Sequence, residues 1–187
     1  MRIALYGGSF NPPHVGHLLV TSYVLATADV DEVWLMPSYR HPFGKELASF
    51  VDRVEMCSRV AALFRRGVAV TSVESEVPGE GRTVDTLEYL VERHPSCSFR
   101  LVIGSDILDD VPKWKQWARV KELAPPLLVA RGGHPHVDAR GPEMPAVSST
   151  EVRRLLAEGD DAVQRLVPRT VLEYVEARGL YRGTSAQ

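Results

Sequence analysis

The residues best suited to chemistry lie in one short segment near the N-terminus, residues 7–17, which reads GGSFNPPHVGH. Two glycines follow a strand-like run there, and two histidines three positions apart open a helical pattern. Glycine lets a phosphate approach the backbone closely, and a helix N-terminus offers free N–H groups to it. Because His14 and His17 share one face of the first helical turn, both imidazoles can donate hydrogen bonds to phosphate oxygens. The segment therefore predicts a phosphate-binding site.

Other interpretations of this segment have less support. A dinucleotide-binding Gly-x-Gly-x-x-Gly and a Gly-x-x-x-x-Gly-Lys-Ser/Thr phosphate loop are both absent from the sequence. A zinc site needs a third and a fourth ligand, and no cluster of His or Cys follows nearby. A plain surface turn would explain an isolated His-x-x-His, but the flanking glycines, prolines and strand favour a functional site. We therefore predict phosphate binding here and no metal held by protein ligands.

Strands and helices must position this segment, and the sequence alternates between the two. Short apolar runs stopped by Gly, Pro or Arg predict five buried strands, over residues 2–6, 32–36, 68–71, 99–103 and 127–130. Helical patterns cover residues 15–26, 50–64 and 83–92, and two more helices are expected from Ser148 and from Pro168. This succession implies parallel strands joined by right-handed crossovers. We predict an α/β fold, with a single Rossmann-like doubly wound parallel sheet, helices on both faces and a small helical C-terminal part.

In such a sheet, ligands bind beyond the carboxyl ends of the strands. This rule brings together the residues that follow four of the predicted strands, namely Gly7-Gly8, Pro37-Ser38, Gly104-Ser105-Asp106 and Arg131. The stretch 132–145 is rich in Gly, Pro and His and is expected to be a loop, and residues 182–187 are expected to be a disordered tail.

Composition narrows the class of protein. The 187 residues, of which 44% are hydrophobic and 25% charged, fit one soluble domain. The 22 basic and 24 acidic residues give a net charge of −2, which predicts no binding to nucleic acid. No apolar run reaches the roughly 18 residues of a membrane helix, and no signal-peptide pattern opens the chain. With two cysteines, Cys57 and Cys97, we expect a cytoplasmic protein, either a monomer or a homo-oligomer.

Two motifs resemble signatures of the nucleotidyltransferase superfamily. Residues 8–17 are similar to Gly-x-Phe-x-Pro-x-His-x-Gly-His, and residues 148–153 (SSTEVR) resemble Ser-Ser-Thr-x-Ile/Val-Arg. Within the superfamily, the chain most resembles the bacterial nicotinate mononucleotide adenylyltransferases. The supporting segments are Gly104-Ser105-Asp106 with Pro112-Lys113-Trp114, residues 83–87, residues 53–56 and residues 167–181. The resemblance covers residues 1 to about 181 and implies a single nucleotidyltransferase domain over residues 1–187.

The resemblance implies an enzyme that transfers the adenylyl group of ATP to the 5′-phosphate of nicotinate mononucleotide. The products are deamido-NAD and pyrophosphate, in NAD biosynthesis, and Mg²⁺ would come bound to ATP. The implied catalytic residues are His14, His17, Lys45 and Arg153. The implied ATP-binding residues are Gly8, Ser9, Phe10, Gly16, Gly104, Asp106, Arg131, Ser148 and Ser149. The implied mononucleotide-binding residues are Thr83, Trp114, Arg82 and Lys115.

Three departures from the family pattern fall on the acceptor side. Gly81-Arg82 stands where Ser-Tyr is usual, and Lys115 follows Trp114 where an aromatic residue is common. The family's Pro-Pro-His-Lys is altered around Lys45, which leaves the register of Lys45 open by a residue and allows His41 to share its phosphate-binding role. Nicotinamide mononucleotide and phosphopantetheine therefore remain alternative acceptors. A nucleotide-binding module without catalysis is the alternative from another class of protein.

Overall fold

The computed structural model describes residues 1–39, 47–79 and 81–182. Its strands are β1 Arg2–Gly8, β2 Glu32–Pro37, β3 Val68–Val70, β4 Ser98–Gly104, β5 Pro126–Arg131 and β6 Arg140–Met144. Its α-helices are α1 Val15–Thr27, α2 Phe50–Ala61, α3 Thr83–Arg93, α4 Trp117–Leu123, α5 Ser149–Glu158 and α6 Arg169–Ala177. The five predicted strands and the five predicted helices are thus confirmed to within a few residues at their ends.

The strands form one sheet in the order β3-β2-β1-β4-β5-β6, and all neighbours are parallel. Leu5 of β1 lies opposite Trp34 of β2 and Leu101 of β4. From β1 the chain first builds the sheet in one direction through β2 and β3, and then in the other direction through β4. The crevice of a doubly wound sheet opens at this reversal, so the fold places it between β1 and β4.

Alternation along the strands divides the buried side chains into two layers. Ala4 faces a layer that contains apolar residues of α1, α2, α5 and α6, such as Val152. Its neighbours Ile3 and Leu5 face a second layer that contains residues of α3 and α4, such as Val120. Because successive strand side chains point to opposite faces, helices must cover both faces of the sheet. The predicted arrangement is confirmed, and the C-terminal helices pack on the first face.

The expectation of a loop over residues 132–145 was wrong, because strand β6 lies inside it. β6 pairs in parallel with β5, with Arg140 opposite Val129 and Met144 opposite Arg131. Gly141 has φ of +94°, and Tyr23 fills the space that a Cβ would need there. A strand with one hydrogen-bonded neighbour tolerates both this glycine and Pro142, whereas a central strand would not. The residues that suggested a loop are therefore compatible with an edge strand.

Helix α4 was not predicted either. Its seven residues are too few for a helical period to stand out from the sequence. Val120 nevertheless places its side chain, which has no solvent exposure, in the second layer. Among the described residues, no helix is long and apolar enough to cross a bilayer.

Candidate active site

A cavity of about 500 Å³ opens at the carboxyl edge of the sheet, a size that suits a nucleotide. Its walls come from the ends of β1, β4, β5 and β6 and from the first turns of α1 and α5. The predicted residues that line it are Gly8, Ser9, His14, Gly16, His17, Gly104, Asp106, Arg131, Ser148, Ser149 and Arg153. The predicted site residues span 146 positions of the sequence, from 8 to 153, and the fold brings them together around this cavity.

The two histidines cap helix α1 reciprocally. His14 is the N-cap residue, and its Nδ1 accepts a hydrogen bond from the Gly16 backbone N–H at 3.2 Å. The Nδ1 of His17 accepts from the backbone N–H of His14 at 3.1 Å, and the ring centroids lie 3.8 Å apart. A nitrogen that accepts a hydrogen bond carries no proton, so each neutral ring carries its proton on Nε2. The cap therefore fixes both tautomers and leaves two Nε2–H groups available as donors.

Burial keeps both rings neutral near pH 7. It lowers the pKa of His14 to about 4, and the charge of Arg131 acts in the same direction. Burial also lowers the pKa of His17 well below its ordinary value, assisted by His14 and Arg131. Loss of hydration disfavours the charged imidazolium, which explains both directions. The histidines can thus bind phosphate oxygens as neutral donors, and the cationic charge must come from arginine and lysine.

Glycine and phenylalanine around the histidines keep the rings in place. A Cβ on Gly16 would lie 3.0 Å from Cε1 of His14, so any larger residue would push that ring aside. Phe10 has no solvent exposure and does not line the cavity. Its ring instead packs against His17, with 4.8 Å between centroids, and edge-on against Tyr6 at 5.6 Å. Phe10 therefore supports the site from beneath, and direct contact of its side chain with ATP is not favoured.

The first turn of α5 forms the opposite wall. The Ser148 side chain caps this helix by accepting from the Glu151 N–H at 3.1 Å. Ser149 donates its hydroxyl to the Pro12 carbonyl at 3.0 Å. Arg153 donates to the Asn11 carbonyl at 2.8 Å. These contacts join the N-terminus of α5 to the loop before α1, so two helix N-termini border the same cavity and favour bound anions.

The third wall carries an ion pair. Arg131, at the end of β5, pairs with Asp106 at 3.0 Å and donates to the Val147 carbonyl at 2.9 Å. Its own backbone N–H donates to the Ser105 hydroxyl at 2.9 Å. A Cβ on Gly104 would collide with the Asp106 carboxylate, so glycine allows this side chain to fold back. The pair presents a fixed donor and acceptor surface rather than a free positive charge.

The predicted mononucleotide-binding residues lie outside this cavity. Thr83, half-buried, is the first residue of α3, and Arg82, exposed, precedes it as the N-cap residue. Trp114, also half-buried, packs edge-on against Trp117 at 5.9 Å. The Lys115 ammonium pairs with Asp85 of α3 at 3.3 Å, which ties the segment after β4 to the start of α3. Lys45 and His41 lie outside the described residues.

Sequence reasoning missed one wall and one buried residue. Met144, Pro145 and Val147, at and just after the end of β6, line the cavity, and the first two belong to the stretch that was expected to be a loop. Asn11 is 1% exposed, and its Oδ1 accepts hydrogen bonds from Ala48 N–H at 3.0 Å and from the Tyr181 hydroxyl at 2.7 Å. The sequence signal that could have identified Asn11 was its position in the segment 7–17, between the predicted site residues Phe10 and His14.

Known proteins resemble the chain in sequence over nearly its whole length. The family model described as cytidylyltransferase-like matches residues 5–155. A probable nicotinate-nucleotide adenylyltransferase of Anaeromyxobacter dehalogenans is 56% identical over 185 residues, which are 97% of each chain. One of Thermus thermophilus with the same name is 38% identical and covers 97% of this chain and 100% of its own.

Solved structures agree on the fold. A Plasmodium falciparum nicotinic acid mononucleotide adenylyltransferase complexed with NaAD superposes with a TM-score of 0.82, at 21% identity and with 96% of this chain and 97% of that chain covered. The same enzyme complexed with APC gives 0.79 at 20% identity, with 96% of each chain covered. The family model and the relatives in sequence go further than the fold. The chain belongs to the cytidylyltransferase-like nucleotidyltransferases and, among them, to the family of the nicotinate-nucleotide adenylyltransferases.

Proposed function

We propose that this enzyme joins ATP and nicotinate mononucleotide to give deamido-NAD and pyrophosphate. The observation that carries the proposal is the cavity in which His14, His17 and Arg153 meet beside two helix N-termini. The curated relatives that the chain matches end to end bear the name of this activity. The 5′-phosphate of the mononucleotide attacks the α-phosphorus of ATP, a new O–P bond forms, and the bond to the β-phosphate oxygen breaks. The released electron pair leaves with pyrophosphate.

This reaction asks the protein for alignment and charge neutralisation rather than proton transfer. A phosphate nucleophile is already ionised near neutral pH, so no general base is needed. The Nε2–H groups of His14 and His17 would donate to the ATP phosphates. Arg153 would add positive charge, since the hydrogen bonds described for it go to the neutral oxygens of Asn11 and Thr150. Donors that are fixed before the charge develops stabilise the transition state without further reorganisation.

The other assignments follow from the family resemblance. Gly8, Ser9 and Gly16 would border the phosphates, with Ser148 and Ser149 at the start of α5. Gly104, Asp106 and Arg131 would hold the nucleoside end of ATP. Thr83, Arg82, Trp114 and Lys115 would bind the mononucleotide, with Trp114 stacked on the pyridine ring. Lys45 would contribute a further positive charge to the phosphates.

Magnesium would enter with ATP. Mg²⁺ typically binds one or two carboxylates together with substrate phosphates and keeps several waters. Asp106 is the carboxylate among the described lining residues, and one of its oxygens already pairs with Arg131. The donor set thus suits an ion that is bound by ATP. The ion would supply Lewis-acid neutralisation of the phosphates.

Pyrophosphate release in the presence of ATP and Mg²⁺ tests the proposal. We expect turnover with nicotinate mononucleotide at a kcat/KM at least about tenfold above that with nicotinamide mononucleotide or phosphopantetheine. A preference for the amide would keep the chemistry and change the acceptor. No turnover with any of the three acceptors would contradict the proposed activity.

Two adjacent arginines on α5 provide a matched test of the phosphate site. Arg153 lines the cavity, whereas Arg154 is exposed and pairs with Glu158 one turn later. Replacing Arg153 by Met should lower kcat/KM about 10- to 100-fold, because a charged hydrogen bond to the transferring phosphate is lost. Arg154→Met should stay within about twofold of the wild type, since exposed ion pairs contribute little. Equal losses in steady-state kinetics would argue against the role of Arg153.

A further inference from the structure

Arg53 of α2 is the largest of the fully buried side chains among the described residues. It does not line the cavity. Its guanidinium donates to the Ser9 carbonyl at 2.9 Å and to the Ala48 carbonyl at 3.0 Å. Burying a cation is costly unless its donors are satisfied, so a chain keeps one where its geometry is needed. Here the planar guanidinium bridges two loop segments, the one that follows β1 and the one that precedes α2.

Tyr181 contacts the first of these segments, at Asn11, from near the C-terminus. Its hydroxyl donates to the Asn11 Oδ1 at 2.7 Å, and the same oxygen accepts from the Ala48 N–H at 3.0 Å. Tyr181 has φ of 58°, in the left-handed region that costs a non-glycine residue energy. Burial raises the pKa of its phenol, so the hydroxyl keeps the proton that it donates. The tyrosine is thus held in an unfavourable backbone conformation at the position where it meets Asn11.

Arg53 and Tyr181 both contact the loop that follows β1. Residues 9–12 connect β1 to the N-cap His14, and the direction in which they leave β1 sets where both imidazoles stand. We propose that Arg53 and Tyr181 are positioning residues for adenylyl transfer, which act through the loop 9–12 on His14 and His17 without touching the substrates. The kinetic part of this inference rests on the proposed function.

Two tyrosines near the C-terminus allow a matched test. Tyr174 donates its hydroxyl to Asp52 of α2 at 2.8 Å, a bond of similar length to that of Tyr181 but away from the loop 9–12. Tyr181→Phe should lower kcat about tenfold and leave the KM for ATP within about twofold, because a small misplacement of catalytic groups mainly affects the transition state. Tyr174→Phe should leave kcat within about twofold. Equal kcat values for the two variants would overturn the proposal.

Arg53→Lys tests the role of Arg53 while keeping the positive charge. A single ammonium cannot reproduce the planar fork that spans the Ser9 and Ala48 carbonyls. We expect kcat to fall about tenfold or more at a temperature where far-ultraviolet circular dichroism shows the variant folded. An unchanged kcat in the folded variant would overturn the role of Arg53.

An activity-independent readout separates this inference from the proposed function. Nitrogen NMR of the imidazoles reports which ring nitrogen carries the proton. The His14 and His17 signals should shift in Tyr181→Phe and stay in place in Tyr174→Phe. If the wild type shows no turnover, the proposed function fails, and the NMR comparison still decides whether Tyr181 positions the histidines. Unchanged His14 and His17 signals in Tyr181→Phe would overturn the inference.

Discussion

Replacing His17 by alanine is expected to lower kcat about 10²- to 10³-fold, the range found when one preorganised donor to a developing anion is removed. His17 lines the cavity, is half-buried and neutral, and points its acceptor Nδ1 at the His14 backbone. Its remaining Nε2–H is therefore the group that the phosphates would use. The affinity for ATP should change little, because the glycine loop and both helix N-termini remain. Pre-steady-state kinetics with ATP and nicotinate mononucleotide would separate binding from chemistry.

Two further substitutions separate the proposed donor role of His17 from its capping role. Asparagine can place an oxygen near the Nδ1 position and keep the bond from His14 N–H, but it has no group at Nε2. Glutamine can place an N–H near the Nε2 position and loses the cap. We expect His17→Gln to retain more activity than His17→Asn. The reverse order would show that the cap, rather than the donor, accounts for the loss in His17→Ala.

Replacing Glu74 by glutamine is expected to stabilise the protein by about 2–3 kcal/mol at pH 8. Glu74 is 9% exposed, and its carboxylate accepts from the Tyr39 N–H at 3.0 Å. Burial raises its pKa from 4.5 to about 7, while the Tyr39 N–H and Arg53 act in the opposite direction. One pKa unit corresponds to about 1.4 kcal/mol, so ionising this buried carboxyl costs about 3 kcal/mol above pH 7. Glutamine keeps an acceptor for Tyr39 and avoids that cost.

The sign of the effect depends on pH. A raised folded pKa stabilises the protein below pH 4.5, and this contribution is lost as the pH rises through 7. The advantage of Glu74→Gln should therefore shrink to nothing near pH 4.5. His14 acts in the opposite sense, because its lowered pKa costs stability as the pH falls from 6.5 to about 4. His17 adds to this loss, because its pKa is lowered too. The variant lacks the opposing contribution of Glu74, so it should lose more stability on acidification than the wild type does.

Urea unfolding at several pH values would measure this difference. Glu76 is a matched control, since it follows on the same turn, is exposed and accepts from the Tyr89 hydroxyl. Glu76→Gln should change the free energy of unfolding by less than about 0.5 kcal/mol at any pH. A Glu74→Gln variant that is less stable than the wild type at pH 8 would contradict the expectation.

The sequence predicted the sheet well where its pattern is local. In the run 99–103, residues 101–103 are apolar on both faces and end at glycine, as buried parallel strands do. Strand β6 could not be recognised in this way, because Gly141 and Pro142 are unfavourable in a buried central strand and typical of a loop. Its pairing with β5 and the space taken by Tyr23 decide its conformation, and both are long-range contacts. An edge strand of this kind therefore becomes visible only in the tertiary structure.

In the site, too, local features were predictable from the sequence and features that depend on long-range contacts were not. The spacing of His14 and His17 predicted that they share one helical turn, and the structure confirms it. Their tautomers depend on reciprocal capping geometry, which spacing alone does not specify. Arg53 stood out only as part of a motif, and Tyr181 only as part of a closing segment, because their partners in residues 9–12 are 44 and 170 positions away. Contacts at such separations are not encoded in any local pattern.

The hydrogen bonds that hold residues 9–12 also determine when this loop can take its final conformation during translation. When a nascent chain has left the ribosome as far as β5, β1 can already pair with β2 and β4. The loop then still lacks Ser149, Arg153 and Tyr181, which contact it across 137, 142 and 170 positions. Domains tend to fold from the N-terminus during translation, but contacts with late segments must wait. The loop 9–12, although translated early, thus reaches its final conformation only after translation has passed residue 181.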